Sequence, residues 1–252
     1  MAGMPCLFDA HLHIIDPARP LVENNGYLPE PFTTQDYLAR VKGLNVAGGA
    51  VVSGSFQAFD QGYLLDALAQ LGPNFVGVTQ LPVHTPDGRI RELADAGVRA
   101  VRFNLRRGGS AGIGDLDRFA RRVHDLVGWH TELYVDSREL AELEPMLSSL
   151  PAVSIDHLGL HPDGLPALLR LVEVGVKVKA TGFGRIDLEP VAAMQAIMAV
   201  DPTALMVGTD LPSTRARRPF DDHDLGIIAE AVGPDNVGAV FWGNAESFYL
   251  RA

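Results

Sequence analysis

The sequence predicts an α/β protein folded as a (β/α)8 barrel, on three observations. Short apolar, β-branched runs alternate with longer helix-period segments along the whole chain, eight of each. A length of 252 residues suits one such barrel as a single domain over residues 1–252. The first strand ends in histidines rather than in the glycine fingerprint that follows strand 1 of a doubly wound dinucleotide-binding sheet.

The predicted strands are 6–13, 46–53, 75–81, 98–104, 130–135, 152–157, 176–182 and 204–210. Thr33-Thr34-Gln35-Asp36 opens the first helix with a cap-like start, and residues 60–71 repeat apolar side chains at three and four. Further helices are expected near 87–97, 115–128, 137–149, 164–174, 189–200 and 222–232. The glycine-rich run 108–114 matches neither a dinucleotide nor a P-loop spacing and reads as a mobile loop.

Hydrophobic residues make up 47% and charged residues 21%, the balance of a soluble globular chain. A formal net charge of -10 argues against nucleic acid or an anionic membrane surface as partner and leaves a small molecule. Cys6, the single cysteine, has no internal disulfide partner, and the N-terminus has neither the basic start nor the apolar run of a signal peptide. No stretch approaches 18 uninterrupted apolar residues, so no membrane span is expected and a cytoplasmic protein is. Neither composition nor motif speaks to oligomeric state.

In a parallel barrel, chemistry gathers at the carboxyl ends of the strands. Residues 8–14, Phe8-Asp9-Ala10-His11-Leu12-His13-Ile14, place two imidazoles one residue apart. Regular alternation puts Asp9, His11 and His13 on one face and Phe8, Ala10, Leu12 and Ile14 on the other. Buried histidines need partners, which a metal, a substrate or carboxylates can supply. The later strands end in Ser53, in Arg102 and Asn104, in Tyr134, in His157 and in Asp210, while strand 7 leads through Lys179 and Thr181 to Arg185. Asp156, pointing opposite to His157 in a regular strand, reads as a cap on the following loop; His84, His124, His130 and His223 read as structural.

These residues carry a resemblance. Asp9-Ala10-His11-Leu12-His13, Asp156-His157-Leu158-Gly159 and Gly208-Thr209-Asp210-Leu211-Pro212 resemble strand ends 1, 6 and 8 of the amidohydrolase superfamily. Residues 97–104, Glu132-Leu133-Tyr134, residues 179–185 and Gly243-Asn244-Ala245 are similar to its 2-pyrone-4,6-dicarboxylate lactonase branch, in order from about residue 7 to residue 249. Two-metal members use a carboxylated lysine or a glutamate at strand 4 and a histidine at strand 5, where this chain has Arg102 and Tyr134. A guanidinium there would oppose a metal by roughly 4 kcal/mol per unit charge at about 4 Å with an effective dielectric of about 20. No binuclear centre is expected.

The resemblance implies a hydrolase that opens the lactone ring of a small, carboxylated substrate without requiring a metal. Asp210 would be the general base on water, and His157, His11 and His13 would position or polarise the carbonyl. Arg102 and Arg185 would hold a substrate carboxylate, supplemented by Arg106, Arg107, Arg215, Arg217 and Arg218, with Ser53, Asn104, Tyr134 and the pocket-capping Tyr27 as further contacts. Leu160 stands where the branch has a carboxylate-binding arginine, with His161 next to it as the substitute. If a metal binds, it is a single divalent ion such as zinc on His11, His13, His157 and Asp210. The rival readings are a mononuclear zinc hydrolase or nonoxidative decarboxylase of the same superfamily, and a non-catalytic small-molecule binding barrel.

Overall fold

Runs of Val, Ala, Leu and Phe, buried on both faces, form eight strands: β1 (Leu7–Leu12), β2 (Val46–Val52), β3 (Phe75–Thr79), β4 (Val98–Asn104), β5 (His130–Tyr134), β6 (Val153–Ile155), β7 (Lys177–Ala180) and β8 (Leu205–Val207). The computed structural model describes residues 5–250. Every strand pairs in parallel with its successor. Beyond β8 the chain meets β1: Asp210 N donates to His11 O at 2.7 Å and His13 N donates to Leu211 O at 2.8 Å, which closes a (β/α)8 barrel.

The expected helices form between the strands, as α1 (Thr34–Arg40), α2 (Gly62–Leu71), α3 (Asp87–Asp95), α4 (Leu116–Val127), α5 (Leu140–Leu147), α6 (Leu165–Glu173), α7 (Pro190–Val200) and α8 (His223–Val232). Thr33 caps α1 in a reciprocal box with Asp36, as its sequence indicates. One element is additional. A π-helical turn at Ala239–Gly243 leads into α9 (Asn244–Tyr249), which carries Ala245 and Tyr249 into the barrel floor. There they meet Phe8, Ala10, Ala50, Val52, Val76, Val78, Ala100 and Met206, and the Phe8 and Tyr249 rings stack at 5.4 Å. No helix among the described residues is long and apolar enough to cross a membrane.

Two departures from regular strands decide where the polar groups point. In β1, Asp9 pairs with Gly49 while Leu12 pairs with Val51, so three steps on β1 face two on β2. This bulge corrects the expected alternation. Phe8 and Ala10 join the floor cluster, whereas Leu12 and Ile14 pack in the layer of helices. Asp9 does not share a face with the histidines; it accepts from Tyr37 Oη of α1 at 2.9 Å and from Thr209 N and Oγ1 at 2.8 and 2.7 Å. Strands 6, 7 and 8 are shorter than predicted because the chain leaves the ladder early. His157 (φ 53°) and Asp210 (φ 61°) both lie in the left-handed region just past their strands.

Candidate active site

The barrel centre is an ionic network. Lys179 of β7 lies 2.5 Å from Glu132 Oε2, 3.4 Å from Asp156 Oδ1 and 3.4 Å from His11 Nδ1. Arg102 of β4 donates to Asp156 Oδ2 at 2.7 Å and to Ser53 O at 2.6 Å. Asp156 therefore points into the barrel rather than capping a loop, which corrects the sequence reading; the left-handed turn that follows it brings His157 to the same side. Glu132 also accepts from Tyr249 Oη and contacts His130 Nε2 at 3.2 Å. Burial alone would raise the Glu132 carboxyl, but the Lys179 charge and the His130 hydrogen bond prevail and hold it at about 2. Asp156 is likewise held well below the carboxylate range, against burial, by His11, Lys179 and Arg102. His130 serves this network and lies tilted against Phe248, ring centres 4.2 Å apart, in keeping with a structural role. The sequence reading named Lys179 on the way out of strand 7 and Glu132 within a family-like motif but gave neither a role, although a charged residue at every second position of a buried strand is the signal that marks them.

Above this network the four expected catalytic residues converge. His11 Nε2 and His13 Nε2 stand 3.8 and 3.7 Å from Asp210 Oδ1, and the His11 ring centre is 4.8 Å from that of His157. His13 Nδ1 lies 2.7 Å from Val52 O; as a carbonyl can only accept, Nδ1 carries a ring proton and donates it there, leaving Nε2 turned toward Asp210. His11 Nε2 and His157 Nδ1 are buried with no hydrogen-bond partner in the protein. Burial depresses His11 to about 4, outweighing Asp156, and holds His157 well below its ordinary value, outweighing Asp210, so both rings are neutral at pH 7. Glycines make room for them. A Cβ at Gly182 would fall 2.5 Å from His157 Nδ1, and one at Gly208 would fall 2.8 Å from His11 Cβ.

Asp210 is gripped by Arg185, with Nε at 2.6 Å from Oδ2 and Nη2 at 3.1 Å from Oδ1. Burial would raise this carboxyl, but above all the Arg185 guanidinium holds it far below its ordinary value. Both arginines assigned to a substrate carboxylate are thus engaged by carboxylates of the protein, Arg102 by Asp156 and Arg185 by Asp210, although each still lines the cavity.

That cavity holds about 30 Å³, enough for a water or two, and is walled by His13, Arg102, Asn104, Tyr134, His157 and Arg185 with Ser55, Phe56, Arg107 and Arg215. It adjoins an outer cavity of about 180 Å³ across Arg107, Tyr134, Arg185 and Arg215. Ser53 is not at this wall: its hydroxyl meets Tyr63 Oη of α2 at 2.6 Å, and Ser55 takes its place. Asn104 Oδ1 accepts from Arg107 N at 2.9 Å. Tyr27 lies at the mouth beneath Arg215, whose Cζ is 4.3 Å from the ring centre. Arg106, Arg217 and His161 line the outer cavity, whereas Arg218 is turned to Asp224 at 2.7 Å. The glycine-rich loop is pressed against the site, since a Cβ at Gly109 would lie 2.6 Å from Ser55 O.

His11, His157 and Asp210 offer ligand atoms within 4.8 Å of one another, and their neutral nitrogens and carboxylate oxygen fit one divalent cation. His13 falls outside this trio. A second trio, His11, Glu132 and Asp156, does not fit a metal, because the Lys179 ammonium already lies within 3.4 Å of all three.

A barrel with this set of histidines and a strand-8 aspartate defines a class, and comparison with known proteins agrees. A profile of the family described as Amidohydrolase matches residues 8–251, and the chain belongs to that family of enzymes. It is similar to a 2-pyrone-4,6-dicarboxylate hydrolase of Comamonas testosteroni, 31% identical over 160 residues that cover 62% of this chain and 52% of that one; the match spans about half the length of this relative. It is also similar to the 4-sulfomuconolactone hydrolase of Rhizobium radiobacter, 26% identical over 90% of this chain and 84% of that one. The fold is shared with a probable 2-pyrone-4,6-dicarboxylic acid hydrolase of Acinetobacter baumannii, with a TM-score of 0.83, 23% identity and coverage of 96% and 98%.

Proposed function

We propose that the protein hydrolyses the lactone ring of a small carboxylated substrate, with Asp210 as the base that accepts a proton from water. The observation that carries this reading is the convergence of Asp210 Oδ1 with two imidazole nitrogens 3.7 and 3.8 Å away, one of them on His13, which lines a cavity the size of a water or two. A water between Asp210 Oδ1 and His13 Nε2 donates a proton to the carboxylate and turns a lone pair outward. Arg185 keeps Asp210 ionised at any ordinary pH. A carboxylate held so low is a weak base toward bulk water, and it takes the proton in concert with attack, when the water itself becomes acidic.

Water adds to the carbonyl carbon while its proton passes to Asp210. Collapse of the tetrahedral species breaks the ring C–O bond, and that proton leaves on the ring oxygen, giving a hydroxy acid or its keto tautomer. His157, with Nδ1 unpartnered beside the cavity, and Arg102, whose Nε is likewise unpartnered, are the groups in reach of the developing oxyanion. Tyr134 stacks edge-on to His157 at 5.0 Å and fixes its ring plane. A zinc ion bound by His11, His157 and Asp210 would supply Lewis-acid polarisation of the same carbonyl.

The test is turnover of a panel of carboxylated and neutral lactones, followed by proton release, on protein purified with and without chelator. Asp210→Asn is expected to lower kcat by about 10³ or more, equivalent to about 4 kcal/mol of barrier, with KM changed far less. A loss within tenfold would remove Asp210 from the base role. Activity abolished by chelator and restored by zinc would replace the metal-free mechanism by the zinc one.

A further inference from the structure

Lys179 is fully buried at the centre of the barrel, and no step of the proposed hydrolysis uses it. An ammonium has hydrogens to give and no lone pair, so each of its hydrogen-bond partners is an acceptor. One is Glu132 Oε2 at 2.5 Å; the other is His11 Nδ1, in a long hydrogen bond of 3.4 Å. Asp156 Oδ1 stands 3.3 Å from the same ring nitrogen, yet it accepts no hydrogen bond and so takes no proton from the ring. His11 Nδ1 is therefore bare, and the ring proton lies on Nε2.

His11 Nε2 has no hydrogen-bond partner in the protein and lies 3.8 Å from Asp210 Oδ1. A proton on that nitrogen attracts the carboxylate oxygen, whereas a bare nitrogen would present a lone pair to it and repel it. The residues that wall the cavity are His13, Tyr134 and His157 with the arginines, and neither Lys179 nor His11 is among them. Lys179 thus reaches the site through the His11 ring.

We propose that Lys179 is a positioning residue: its ammonium holds the His11 proton on Nε2 and so aims a donor at Asp210, the base of the proposed reaction. The proposal rests on the lactonase reading for the role of Asp210, but the place of the proton can be read without turnover. Zinc bound through His11 Nε2 would require that proton to move to Nδ1, toward Asp156.

Long-range proton–nitrogen NMR correlations of the chelator-treated full chain, labelled with nitrogen-15 in histidine, report which ring nitrogen carries the proton. The His11 signals are assigned by their loss in His11→Gln. Wild type is expected to show His11 protonated on Nε2 alone, and Lys179→Met to move the proton to Nδ1. The double variant Lys179→Met/Glu132→Gln, which removes both charges of the buried pair and guards against a folding defect, is expected to make the same move. Glu132→Gln, which keeps the Lys179 donor, is expected to leave the proton on Nε2. A wild-type proton on Nδ1, no move in the folded Met variants, or an equal move in Glu132→Gln would overturn the proposal.

On any lactone that wild type opens, Lys179→Met or the double variant is expected to lower kcat about tenfold or more, with KM within about threefold. An unchanged kcat beside a moved proton would deny Lys179 its action on Asp210 and leave the lactonase reading standing. If wild type opens no lactone, that reading falls, while the spectra still decide whether Lys179 places the proton.

Discussion

Glu132 shows how single residues are balanced here. It is fully buried, yet Lys179 at 2.5 Å keeps its carboxyl at about 2 against an unfolded value of 4.5. A depressed carboxyl stabilises the fold above the unfolded value, and that stability drains as pH falls toward the folded one. Wild type is therefore expected to lose stability through this group as pH falls below 4.5. Glu132→Gln should be less stable at pH 7, because Lys179 loses a counter-charge, but show a shallower decline across that window in denaturant titrations; parallel curves would deny Glu132 this role. His11, His13, His157 and Asp210 were legible in the sequence because each ends a strand and strand ends converge in a barrel. Lys179, Glu132 and the inward turn of Asp156 were not, since only the registered closure of β5, β6 and β7 puts them at one height.

At the level of elements, the site depends on strands that stop being strands. The β1 bulge separates Asp9 from the histidines, and left-handed residues past β6 and β8 bring His157 to the cavity and Asp210 against His11 and His13. Such conformations cost on the order of 1–3 kcal/mol each in non-glycine residues and persist because the surroundings enforce them. Periodicity cannot announce them, which is why strand number and order followed from the sequence while the lengths of strands 6–8 and the face of Asp9 did not. Gly182, at φ 63° with His157 Nδ1 2.5 Å from any added Cβ, makes the dependence testable. Gly182→Ala is expected to lower kcat/KM about tenfold or more by displacing His157, with stability reduced by roughly 1 kcal/mol or more. Equal kcat/KM in a folded variant would show that His157 can move without consequence.

For the whole molecule, α9 joins floor and site. Tyr249 fills the lumen against Phe8 and donates to Glu132, so the chain's last helix completes the barrel interior. No apolar period flagged it, because six residues centred on Asn244–Tyr249 are too few to show one. Tyr249→Ala is expected to cost about 3–5 kcal/mol in unfolding free energy, read by chemical denaturation, where a surface helix would cost well under 1. The chain is acidic overall, at -10, yet gathers Arg102, Arg107, Arg185 and Arg215 around its cavity, so sign of charge is distributed by position rather than by composition.

The ammonium of Lys179 sits among His11, Glu132 and Asp156, within 3.4 Å of each. The barrel axis thus inherits its counter-ion with the polypeptide instead of recruiting one from solution. Assembly of that axis is independent of ion supply, and refolding from denaturant in excess chelator should return the same melting temperature as refolding in zinc-containing buffer, apart from any gain from zinc binding at the mouth.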